Sequence, residues 1–218
     1  MKRFILSSFI LFITCGVDAQ NPLDAGDPLG PVLKKYFRTH PFDMNFSSFI
    51  NSLKSDPWFT IESYDRRTDS AFFYLTGTYN NFNPFRYPAK EIRLIIAEGL
   101  YVHTDSLKTL DTIITIQLLG VTDSGLSNQA LVTKEFQRFK RNYAEGFWRT
   151  NYNKIERGNE ILAEVYNYFI YPYSISPVSS AWGKMPDTGQ YTFTITLRCK
   201  VKQNMAAFIL TPAESKPE

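Results

Sequence analysis

The clearest pattern in the chain is a strict alternation from Gln190 to Lys202. Tyr191, Phe193, Ile195, Leu197, Cys199 and Val201 alternate with Thr192, Thr194, Thr196, Arg198, Lys200 and Lys202. Period two over that length predicts a strand with one apolar and one polar face. A long strand is also predicted from about Lys90 to Val102, with Ile92, Leu94, Ile96, Leu100 and Val102 on one face. Leu110, Ile114, Ile116 and Leu118 mark another, and Glu160 to Phe169 a further one. Trp58 to Tyr64 and Ser70 to Tyr79 read as a hairpin around Asp65–Asp69, and Met205 to Leu210 as a last short strand.

Two stretches carry helical spacing instead. Phe46, Phe49, Ile50 and Leu53 follow a plausible N-cap at Asn45, with Met44 and Phe49 placed for a hydrophobic staple. Val132, Phe136, Phe139 and Tyr143 recur at steps of four, three and four, after Asp123 or Ser124 as cap. The outer face of this second helix carries Lys134, Arg138, Lys140 and Arg141, diluted by Glu135 and Glu145, and is expected to be solvated. The order is helix, four strands, helix, three strands. Short turns between neighbouring strands predict an α+β fold: a two-layer sandwich with a mainly antiparallel sheet of six to seven strands and two helices on one face.

The ends of the chain are organised differently. Lys2 and Arg3, the apolar run through Ile13, and Val17 and Ala19 before Gln20 follow the order of a cleavable export signal over residues 1–19. That run is shorter than the roughly 20 residues needed to span a bilayer, and Arg93 and Glu98 interrupt the best later candidate. The chain is therefore expected in the periplasm or outside the cell. Lipidation at Cys15 is the rival reading, although Phe12, Ile13 and Thr14 fit a lipoprotein signal poorly. Residues 20–41 read as an irregular arm with loop signals at Asp27-Pro28 and Gly30-Pro31, residues 42–211 as one domain, and 212–218 as a polar tail.

Charge and cysteine usage narrow the function classes. Without Lys2, Arg3 and Asp18, the 24 basic and 21 acidic residues leave a formal charge of +2, too balanced for a nucleic-acid footprint. Cys199 is the one cysteine after residue 19, so no internal disulfide is expected, and its place on an apolar strand face reads as core. There is no zinc-type spacing, nucleophile elbow or glycine-rich phosphate loop, and no cofactor or metal is expected.

The unusual feature is aromatic. Of 18 Phe, 13 Tyr and 3 Trp, several fall in proline-broken segments. Phe82, Phe85, Arg86 and Tyr87 lie in a segment broken by Pro84 and Pro88; Tyr171, Tyr173 and Trp182 lie in a stretch broken by Pro172, Pro177, Gly183 and Pro186. Loops run over surfaces, and exposed rings beside Arg suit recognition of a protein or glycan. Tyr79–Phe85 also echoes Tyr166–Tyr173, as a duplicated helix-plus-sheet unit would. Glu98 falls on the apolar face of its strand, where a β-bulge at Glu98-Gly99 would turn it outward. Left buried, it would be a candidate acid or base, as would His103 with Asp105. The leading expectation is an exported, non-catalytic binding module using its aromatic loops. The alternatives are a hydrolase using those carboxylate or His/Asp groups, and an envelope assembly factor held along an edge strand.

Overall fold

Strands with one apolar face need neighbours on both sides and a cover above. In the computed structural model, which describes residues 28–41, 46–67, 72–102, 110–158, 160–170 and 176–200, one eight-stranded antiparallel sheet meets that need. Helix α1 (Gly30–Tyr36) and helix α2 (Phe46–Ser55) precede β1 (Phe59–Arg67), β2 (Phe72–Tyr79), β3 (Glu91–Val102) and β4 (Leu110–Ser124). Helix α3 (Leu126–Tyr143) then leads through a 3-10 turn (Ala144–Gly146) into β5 (Arg149–Arg157), β6 (Glu160–Phe169), β7 (Val178–Lys184) and β8 (Gln190–Lys200).

The spatial order β1-β2-β3-β4-β8-β7-β6-β5 divides the sheet into two four-strand meanders joined by antiparallel pairing of β4 with β8. Each meander follows its own helix, α2 or α3. Tyr79 ends β2 and the run Tyr166–Phe169 ends β6, so the echoing segments sit at the second strand of each half. Register places Leu75, Ile96, Ile116, Leu197 and Val178 in one row across five strands. All are buried. The helices cover this face: Phe46 of α2 meets Phe73 edge-on, and Phe139 of α3 packs on Phe193 and Tyr168.

The α+β architecture therefore stands, with eight strands and three helices in place of six to seven and two. Helix α1 lies within the predicted arm: Pro31 at its first turn supplies a ready φ, and Val32, Leu33 and Tyr36 bury against the core. Strand β5 forms in a polar stretch for which the sequence pattern predicts no strand, and β7 in the stretch broken by Pro172, Pro177, Gly183 and Pro186. β3 and β4 stay in unbroken register from Glu91–Val121 to Val102–Leu110, so the expected bulge at Glu98-Gly99 is absent. Helix α3 starts at Gly125 with no side-chain cap, rather than on Asp123 or Ser124. Thr192 and Thr196 are buried although they lie on the polar face of β8, because β8 is a central strand between β4 and β7. Asn45, Met44, Val201, Lys202 and Met205–Leu210 lie outside the described residues. Among the described residues there is no disulfide, and no helix is long and apolar enough to cross a membrane.

Candidate functional site

The segment between β2 and β3 is built by its own polar groups. Asn81 takes a left-handed φ of 59°, which asparagine tolerates. The Asn83 side chain accepts from the Phe85 N–H at 3.0 Å and donates to the Tyr87 carbonyl at 2.8 Å. This Asx-type turn aims two rings inward. Phe85 is 6% exposed, stacks on Tyr87 at 5.5 Å and meets Phe193 edge-on at 5.4 Å. Burial pushes the Tyr87 hydroxyl well above the usual tyrosine range.

The expectation of an exposed aromatic loop is therefore corrected for three members. Phe85, Tyr87 and Trp182 are core residues, and Phe82 is half-buried against Tyr79. The rings turn inward because burying them gains more than exposing them. Arg86 is the one exposed member of the set that the structure describes. Tyr171, Tyr173, His103, Asp105 and Cys15 lie outside the described residues. Glu98 shares its sheet face with Ile96 and pairs in register with Ile114, half-buried.

Beside the inward loop lies a charged cluster that sequence reasoning placed in solvent. Glu135, on the core-facing stripe of α3, is 2% exposed. Its Oε1 accepts from the Tyr36 hydroxyl at 3.4 Å; its Oε2 accepts from the Arg86 backbone N–H at 3.3 Å and from Arg138 Nη2. One carboxylate thus joins α1, the β2–β3 segment and α3. With both oxygens engaged, it acts as a structural clamp rather than a free acid or base. Burial raises the Tyr36 hydroxyl pKa and lowers that of the Arg138 guanidinium.

A second cluster lies at the β5 side of the sheet. Tyr152, Glu164 and Trp182 follow one another across β5, β6 and β7, and Glu164 accepts from both the Tyr152 hydroxyl and the Trp182 indole N–H. Tyr166 packs 6.2 Å from Tyr152, and Lys140 of α3 sits 4.6 Å above the Tyr166 ring. Trp182 is buried, but the Tyr152 end of this group reaches solvent. Tyr152 is 44% exposed, Trp148 48% and Ile155 53%. Those three are half of the six large exposed hydrophobics among the described residues.

Neither exposed residues nor strand were legible as a site. Arg149–Arg157 is exposed along nearly its whole length and shows no alternation, so the period-two signal never forms. Trp58 and Tyr64 flank the opposite edge, with Arg38 3.8 Å over the Trp58 ring and Lys54 4.2 Å over that of Tyr64; the cations at the β5 edge stand farther off, Arg149 at 5.2 Å from Trp148 and Lys140 at 5.8 Å from Tyr152. No group of three or more His, Cys, Asp or Glu side chains is placed to hold a metal among the described residues. The chain matches no protein-family model, no curated protein and no solved structure at a meaningful level.

Proposed function

We propose that this is an exported, non-catalytic interaction module that takes a protein partner as an added strand along β5. The observation behind it is the state of that edge. β5 is terminal in the sheet and, among the described residues, pairs with β6 alone. A row of open N–H and C=O groups is a template for another strand.

Side chains favour β5 over the other terminal strand. Residues 149–155 pair with β6 in unbroken register, and the irregularity comes only at Ile155/Glu156. β1 is broken near its start, at Ile61/Ser63. On β5 an incoming segment would meet Tyr152 on the helix-covered side of the sheet and Ile155 on the other, with Trp148 at the end. Arg149, Lys154 and Arg157 against Glu156 give the strand a surplus of positive charge, which discourages β5 from pairing with a second β5 and suits an acidic segment. Backbone pairing together with ring contacts fits a polypeptide better than a glycan. This merges the binding and assembly-factor expectations and moves the contact surface from the loops to the edge. Export rests on the pattern of residues 1–19.

A photo-crosslinking residue placed in turn at Asn153, Thr60 and Arg86 tests the reading in envelope extracts. Adducts are expected from position 153. Adducts confined to 60 or 86 would move the interface elsewhere.

A further inference from the structure

The cluster around Glu135 holds more positive charge than its one carboxylate neutralises. Lys35 of α1, Arg86 of the β2–β3 segment and Arg138 of α3 come from three elements that Glu135 and Tyr36 tie together. Glu135 spends both oxygens inside the cluster and pairs with Arg138 alone among the three cations. Among the described residues no carboxylate pairs with Lys35 or Arg86. Arg138 Nε is buried with no hydrogen-bond partner, and Lys35 rests 5.1 Å from the Tyr36 ring centroid. Burial, with the Arg138 and Arg86 guanidiniums nearby, pushes the Lys35 ammonium below the usual lysine range. The half-buried Tyr143 hydroxyl adds a further donor in the same field. The cluster is rich in donors and short of acceptors.

We infer that Lys35, Arg86 and Arg138 form a binding site for a phosphate-class oxyanion. Among the described residues three cations against one carboxylate leave a surplus of two charges, which matches a phosphate dianion better than a single carboxylate. Guanidinium groups present N–H donors in the planar geometry that phosphate oxygens accept. Glu135 holds the head of Arg138 and anchors the backbone of Arg86, so one guanidinium is positioned in advance and the other is tethered beside it. Arg86, exposed on its proline-braced turn, would close over the ion. This site stands or falls independently of the β5 reading.

The test is thermal unfolding of the full chain against inorganic phosphate at about pH 8, where phosphate is mainly the dianion, with sodium chloride holding ionic strength constant. A parallel arm sediments the protein with phosphatidylcholine vesicles carrying phosphatidic acid. Wild type is expected to show a saturable rise in Tm with phosphate that chloride does not give. Arg86→Gln and Lys35→Gln, both at solvent-reaching positions, should each raise the half-saturating phosphate about tenfold, as loss of one charged hydrogen bond implies. Co-sedimentation that needs Arg86 assigns the phosphate to a lipid headgroup; an Arg86-dependent phosphate response without co-sedimentation assigns a soluble phosphate. An equal response to chloride, or a full phosphate response in Arg86→Gln, overturns the site.

Discussion

The Tyr87 hydroxyl donates to the Gly120 carbonyl at 2.8 Å, and a methyl group on Gly120 would stand 2.3 Å from that same hydroxyl oxygen. The Phe85 ring would lie 2.5 Å from it. Gly120 is thus the opening in β4 through which the β2–β3 segment docks. Gly120→Ala should destabilise by about 1–3 kcal/mol, because neither ring can retreat without leaving the core. Tyr87→Phe should cost about 1 kcal/mol through the lost hydrogen bond. Urea unfolding reads both, and an unchanged midpoint for Gly120→Ala would mean the rings do not pack there.

Glu135 and Arg138 form a pair whose removal should be lopsided. Glu135→Leu leaves Arg138 with no counter-charge in a buried setting, at a cost of about 3–5 kcal/mol. The Glu135→Leu/Arg138→Leu double variant should recover part of that loss, with a coupling energy of about 0.5–3 kcal/mol in a double-mutant cycle. Strict additivity of the two single changes would show that the side chains do not interact.

Tyr152 provides a pH signature at the β5 edge. Its hydrogen bond to the Glu164 carboxylate, with a smaller contribution from burial, pushes its pKa up to about 12. The phenol holds its proton more tightly folded than unfolded, where it titrates at about 10. The contribution to stability is therefore complete below about pH 10 and is lost as pH rises towards 12. Phenolate absorbance should show one late-titrating exposed tyrosine, and Glu164→Gln should bring it down. A Tyr152 that titrates early with Glu164 intact would remove the bond.

The parts of the fold that could be read in the sequence are those where burial is one-sided. β3, β4 and β8 alternate because one face meets the helices, and α3 shows its stripe at Val132, Phe136 and Phe139 for the same reason. β5 was illegible because exposure on both faces leaves no contrast between successive residues. β7 was illegible because Val178–Lys184 is a run of small and polar residues that packs through Val178, Ser180 and Trp182. Helix α1 was hidden by Gly30-Pro31, which signals a loop and here opens a helix.

The direction of the loop rings is not legible in the sequence for a different reason. A proline-broken segment does run outside the sheet, but chain position does not say which way its rings point. Gly120, set between Leu119 and Val121 in an apolar strand, was the available signal that something approaches closely. Glu135 likewise sits one turn from Val132 and Phe139 on the buried stripe, and its charge alone suggested solvent.

The central claim, a partner strand along β5, is tested most directly by affinity capture with a Trp148→Ala/Tyr152→Ala variant whose Tm is measured alongside. Both side chains are about half exposed, and the Tm reading separates a lost contact from a weakened fold. The variant is expected to lose the partner that wild type and Trp58→Ala/Tyr64→Ala both retain. Equal recovery by the β5 variant, with its Tm intact, would contradict the account.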